Sequence, residues 1–275
     1  VIIFAVTLLR SYFSTEKVRE YLNRRHEYTG NVLAALFGII TPFCSCSAIP
    51  LFLGFLQARI PLGVTFSYLI SAPLNNEIAI AMLLSMFGWK VAALYVGFGL
   101  LVAIIGGIII GQLGLEKEIL IDVKPIEGEI KAENQIIPFK TRLNDAWDYT
   151  LDILRKIWLY VLIGVGAGAF IHGYVPTEFI TSVAGADNPF AVPIATLLGV
   201  PMYSNAAGVM PLIEVLTSKG MLLGTALSFM MAITALSLPE AMILKRVMSL
   251  KLIAIFFGTV TLGIMGVGYL FNAIL

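Results

Sequence analysis

"PLFLGFLQARIPLGVTFSYLISAPLNNE", Pro50 to Glu77, returns later in the chain as "PLIEVLTSKGMLLGTALSFMMAITALSLPE", Pro211 to Glu240. Pro50 matches Pro211, Gly63 matches Gly224, Ser67 matches Ser228 and, after a two-residue gap, Glu77 matches Glu240. Just upstream, "LFGIITPFCSCS" matches "LLGVPMYSNAAG", so the turn around Cys44 corresponds to the turn around Tyr203, Ser204 and Asn205. Such a repeat predicts two halves, each a spanning helix, a broken apolar segment and two more spanning helices.

The repeated unit is a membrane unit. Of the 275 residues, 59% are hydrophobic and only 13% charged, with a mean hydropathy of +0.92, whereas soluble domains carry about 25% charged residues. The windows 59–88, 91–114, 157–173, 221–244 and 252–275 are each near the ~20 apolar residues that cross a bilayer as a helix. The first residues, "VIIFAVTLLRSYF", lack the polar start and small-residue cleavage site of a signal peptide and read as the end of a further span. The expected class is an all-α polytopic protein of the cell (inner) membrane, in contact with the lipid bilayer.

The broken segments, 30–57 and 188–218, are each two short apolar runs around a turn, and neither run is long enough to span. If they cross the membrane, the halves are parallel and the 18 Lys and Arg divide evenly between the two sides; if they re-enter, the halves are inverted and every Lys and Arg except Lys90 and Lys219 lies on one side. The positive-inside rule therefore predicts inverted-topology repeats, each half with three spanning helices and one re-entrant helical hairpin. The first repeat is 1–114, the second is 157–275, and 115–156 is a cytoplasmic linker. Its charged part reads as solvated, and 142–161 reads as an amphipathic lead-in to the next span.

Non-helical backbone inside a membrane is tolerated where protein or a water-lined cavity satisfies it. Two turns entering from opposite faces meet near the midplane, where inverted-repeat transporters bind substrate. Cys44, Ser45, Cys46, Ser47, Tyr203, Ser204 and Asn205 are thus expected around one cavity, with Asn75 and Asn76 of "SAPLNNE" beside it. Within that motif Pro73 lacks an N–H for the carbonyl of Leu69, which opens the helix next to Glu77. An acid at that depth is costly and marks a proton-coupling candidate. Glu77 is the first choice, Glu240 follows Pro239 in the matching place near Lys245, and Glu214 lies in the second hairpin.

The Pro-x-Cys-x-Cys break followed by "SAPLNNE" resembles the DUF318 (UPF0718, YraQ-like) predicted permeases, over nearly the whole chain. That family includes an organoarsenical efflux permease and proteins assigned to copper or zinc export. The resemblance implies Cys44 and Cys46 as thiophilic contacts for a metal ion or metalloid substrate. "MYSNAAG" has no thiol where some relatives carry one, a departure that bears on arsenical chemistry.

Two soft ligands are an incomplete metal site, so substrate, water or the second turn would complete it. Ser and Cys in such turns also cap helices and pack closely, which is the plainer reading for Ser45 and Ser47. Gly106, Gly107, Gly111, Gly164, Gly166 and Gly168 read as helix-packing surfaces, and His172 as an interfacial residue. No phosphate-binding loop and no basic patch points to ATP hydrolysis or nucleic acid, and no cofactor is implied. The leading expectation is a secondary-active permease, not an enzyme, moving a small solute or ion; a homo-oligomer is compatible with it. The other class is a transmembrane thiol-disulfide oxidoreductase using Cys44 and Cys46, which would want a thiol positioned for each side of the membrane or a relaxed dithiol pair.

Overall fold

The computed structural model describes residues 27–40, 45–57, 60–120, 188–202, 204, 206–245 and 247–274. The expected spans 1–13 and 157–173, most of the linker, Cys44, His172, Tyr203 and Asn205 lie outside these residues. The described residues are helical apart from turns and one isolated β-bridge. In the first half run α1 (Glu27–Ile40), α2 (Ser45–Gln57), α3 (Leu62–Leu74) and α4 (Glu77–Gln112); in the second run α5 (Ala191–Gly199), α6 (Ala206–Ser218), α7 (Leu223–Ala235), α8 (Leu238–Leu244) and α9 (Leu250–Ile274).

The repeat seen in the sequence recurs in the helices at a constant offset of 161 residues, with 45–57 returning as 206–218 and 62–74 as 223–235. The offset persists through the breaks. Asn75 ends α3 and Asn76 caps α4; Leu236 ends α7 and Ser237 caps α8. Past the breaks, Gly88 and Ser249 again hold equal places ahead of the long helical arms. No gap separates the halves in space, so the register that matched Glu77 to Glu240 gives way to one in which Glu240 is equivalent to Ala79.

Among the described residues three stretches are long and apolar enough to cross a membrane: Glu77–Gln112, Leu223–Leu244 and Leu250–Ile274. The expected single span over 60–86 is instead two pieces. α3, of 13 residues, covers only about 20 Å at 1.5 Å per residue, and the chain restarts as α4, which is itself interrupted at Gly88 (φ 82°). That positive φ suits glycine, and it reverses the chain, because Asn75 before the arm 77–87 packs on Gly99 after it.

Packing fixes the sense of each helix. Ser67 Oγ donates to Asn31 Oδ1 (2.9 Å) and Ser71 Oγ to the Ala35 carbonyl (2.6 Å), so α1 and α3 run parallel and begin level. The chain between them, which holds α2, therefore leads back to the level at which α1 began. At that register Ile40, where α1 ends, stands level with the Asn75–Asn76 break. Phe37 of α1, Phe55 of α2 and Tyr68 of α3 close this corner with ring centroids 5.3–6.5 Å apart.

The arm of α4 after Gly88 runs back along α3. Gly63 meets Gly107 and Gly111, Ile70 meets Gly106, and Asn75 meets Gly99. The second half repeats the contact, with Gly224 against Gly268 and Asn272. At Gly107 a Cβ would collide with Ser67 and with the Gly63 carbonyl, so only glycine allows the two backbones this close. The arms of α4 and α9 also pack antiparallel: Phe98 on Phe271 (5.3 Å between centroids), Val102 on Gly263, and Gly106 on Thr259. Three reversals in series, α3 to α4, α4 to α9 and α9 to α7, make the equivalent helices α3 and α7 run in opposite senses.

The start of the linker folds back on the body while its charged side chains Glu116 and Lys117 stay exposed. Glu116–Glu118 form a 3-10 turn, Leu115 and Ile119 pack on the core, and Ile119 pairs with Met248.

Candidate site at the two helix breaks

Both breaks sit where a short apolar helix ends in mid-course, and they are satisfied differently. At the first, the Asn75 N–H donates to the Ser71 carbonyl (2.9 Å) and its Nδ2 to Ser71 Oγ (3.2 Å). Asn75 is buried and its Oδ1 has no partner; it lies against Gly99, where a Cβ would stand 2.5 Å away. The next residue, Asn76, is half-buried and accepts from the Ile78 N–H (2.8 Å), capping α4. Asn31, Ser67, Ala35, Ser71 and Asn75 thus form a polar seam up to the break, four residues apart along each helix. The equivalent positions in the second half are Val192, Ser228, Thr196, Ala232 and Leu236; there Ser228 bonds within its own helix, to the Thr225 carbonyl (2.9 Å).

At the second break the local sequence Ser237-Leu238-Pro239-Glu240 is a capping box, in which the serine and the acid ordinarily satisfy each other's backbone N–H groups. Neither bond is made. Ser237 caps α8 in position only, and Ser237 Oγ, Glu240 Oε1 and Glu240 Oε2 are all buried without a partner. Glu240 is 2% exposed. Lys245, near it in sequence, is exposed and does not pair with it, so Glu240 is not the solvated helix-end residue that this neighbour suggests. An ionised carboxylate buried alone is costly, which sets Glu240 apart from an ordinary surface acid.

The three acids named from the sequence therefore separate by environment. Glu77 is exposed at the first turn of α4, Glu214 is exposed on α6, and Glu240 is enclosed. Its equivalent in the first half, Ala79, is equally enclosed but carries only a methyl group. Ser45, Cys46 and Ser47 open α2, in the place that Ala206, Ala207 and Gly208 hold in α6, but their side chains, with Cys44, lie outside the described residues. Ser204 is half-buried and bonded, and Tyr203 and Asn205 beside it lie outside. Among the described residues no three His, Cys, Asp or Glu side chains gather as a metal site. Asn31, Ser67, Ser71 and Ser237 were missed in the sequence. The four-residue spacing of Ser67, Ser71 and Asn75, and the S-x-x-E pattern at 237–240, were the signals available.

The ArsP_1 family, described as a predicted permease, matches residues 1–273. The chain belongs to this permease family. A UPF0718 protein of Methanocaldococcus jannaschii, MJ0584, is 22% identical to the permease over 90% of this chain and 83% of its own. A Streptococcus mutans protein named as a subunit of a two-component membrane permease complex is 27% identical, over 68% of this chain and 61% of its own. The UPF0718 protein YcgR of Bacillus subtilis is 23% identical over 64% and 59%. No solved structure matches the permease. Its helices and its relatives make it a membrane protein of the transporter kind.

Proposed function

We propose that this permease is a secondary-active exporter of a small thiophilic solute, a soft metal ion or metalloid such as an organoarsenical, working by alternating access with protons as the coupling ion. One observation carries the reading: two helices broken at equivalent places run in opposite senses, and one break holds an enclosed, unpartnered acid, Glu240. Oppositely directed equivalents in a bilayer are inverted repeats, the architecture that exchanges inward- and outward-open states around a midplane site. The level start of α1 and α3 supports re-entrant hairpins, since α2 must then return to the face that α1 entered.

In this scheme the substrate sits where the breaks and the hairpin turns converge, touched by Cys44, Ser45, Cys46 and Ser47 from one side and by Tyr203, Ser204 and Asn205 from the other. Asn75 and Asn76 line the first break. The thiols bind the soft substrate, and Glu240 takes the proton that runs against it, displacing Glu77 and Glu214 as first candidate. An exporter in the cell membrane fits the thiols' role in removing soft toxic species. A homo-oligomer, or the two-component assembly named for the streptococcal relative, is compatible with it.

Purified protein in proteoliposomes, tested for transport of Cu(I), Zn(II), arsenite and methylarsenite under an imposed pH gradient, tests the reading. Transport of one soft species that needs the gradient, and is lost in Cys44→Ser with Cys46→Ser, is the expected result. Gradient-independent transport, or transport indifferent to the thiols, would reject it.

A further inference from the structure

Between each break and the following long arm lies a short helix ending in a turn: 77–87 ending at Gly88, and α8 ending before Ser249. These turns are equivalent, yet they are held in opposite ways. Around Gly88 no atom lies within 4 Å of the place a Cβ would take. The turn after α8 is instead stitched to the start of the linker, which runs on from α4. The Leu120 N–H donates to the Val247 carbonyl (2.8 Å), and the Ser249 N–H donates to the Glu118 carbonyl (2.8 Å). Ile119 and Met248 form the antiparallel bridge between these bonds, and the Lys251 ammonium stands 3.6 Å from the Glu118 carboxylate. Within the turn the Val247 and Met248 N–H groups both donate to the carbonyl of Leu244, the last residue of α8 (2.9 and 2.8 Å).

We infer that residues 118–120, at the start of the linker, are a latch that holds α8 of the second half and keeps Glu240 enclosed, and that Glu240 meets the cytoplasmic side when the latch opens. The physical basis is the pattern of bonds. Val247 and Ser249 flank the turn, and each is tied to the strap through the main chain, so α8 cannot swing at its C-terminal end while both bonds stand. The buried Met248 anchors the same point. At the other end of α8 the side-chain caps of Ser237 and Glu240 are unmade, and the first turn is held by the Ala241 N–H to the Ser237 carbonyl (3.1 Å) and by burial alone. A helix that lacks side-chain caps at its first turn, and whose bonds to another segment are at its last, is released by undoing those bonds. The ion pair of Lys251 and Glu118 is largely exposed and adds little. The strap also explains why the first linker residues, charged in sequence, are folded against the body.

Leu120 offers a clean test, because its side chain is exposed (61%) while its N–H carries the bond. Leu120→Pro deletes the donor and Leu120→Ala keeps it. Hydrogen exchange of the full chain in lipid nanodiscs is followed over 238–249; the expected result is exchange about tenfold faster in Leu120→Pro and unchanged in Leu120→Ala. Equal exchange in Leu120→Pro and the native chain would overturn the latch. Should Leu120→Pro fail to fold, Ile119→Cys with Met248→Cys, in a chain with Cys44→Ser and Cys46→Ser, closes the latch covalently on oxidation. Exchange over 238–245 then slows about tenfold and recovers on reduction, and no difference between the two forms would overturn the latch equally. The consequence for transport rests on Glu240 as the coupling acid, and exchange tests the latch without it. Faster exchange in Leu120→Pro with unaltered proton-driven transport would remove the gating role, whereas failure of the coupling reading shows only in the Glu240 variants.

Discussion

Val102 and Gly263 occupy the same place in the two halves of the permease, and they touch: a Cβ at Gly263 would stand 2.9 Å from Val102 Cγ1. A position that meets its own equivalent, between arms running antiparallel, is what the proposed inverted repeat requires. The contact is also tight enough to test. Gly263→Ala overpacks it and should cost about 1–3 kcal/mol, read as a lowered unfolding midpoint in detergent. Adding Val102→Ala makes room and should recover most of the loss.

The polar seam between α1 and α3 makes a second prediction. Ser71 bonds the Ala35 carbonyl and receives Asn75 Nδ2, so Ser71→Ala removes both links at the foot of the first break. The expected loss of stability is about 1 kcal/mol, as for other hydrogen bonds within membranes. Ser228→Ala, at the position equivalent to Ser67 and bonded only within its own helix, should cost less in the same thermal assay.

Sidedness follows from the strap. Glu118 and Leu120 are bonded to Ser249 and Val247, so these segments share a membrane face. Single cysteines introduced at 115–120 and at 249–250, in a chain without its native thiols, should react with an impermeant maleimide only from the cytoplasmic side. Cysteines at Gly88 and within 174–187 should react only from outside. Labelling of 115–120 from outside would reject the inverted arrangement.

Much of this architecture was written in the repeat. Matching Gly63 to Gly224 and Ser67 to Ser228 put both helices in register, and Pro73 pointed to the helix end at Asn75 because a missing N–H weakens the last turn. The glycines at 106, 107 and 111 were legible as a packing surface and do pack against α3. Depth along the chain was a poorer guide to the acids. Glu77 and Glu240 both follow a break, but one helical turn decides which side chain faces the core, and sequence depth says nothing of that azimuth. Matching like residue to like also misled: pairing the two acids required a gap, whereas packing holds the register and sets Glu240 against Ala79. The strap was hidden because "LEKEIL" is half charged, and its attachment runs through main-chain bonds that no side-chain pattern announces.

Substitution at the thiols and at the acid should have separable effects. Cys44→Ser with Cys46→Ser weakens binding of a soft substrate, measured as equilibrium binding to detergent-solubilised protein, by about tenfold or more. Glu240→Gln leaves that binding within about twofold, since it alters the coupling group and not the soft ligands.

Proton-driven transport in proteoliposomes, measured beside substrate exchange at equal pH on both sides, bears most directly on Glu240. Glu240→Gln is expected to abolish the gradient-driven flux while exchange continues, and Glu77→Gln, altering an exposed acid, to leave both within about twofold of the native chain. Gradient-driven flux that survives Glu240→Gln, or that is lost in Glu77→Gln instead, would contradict Glu240 as the coupling acid.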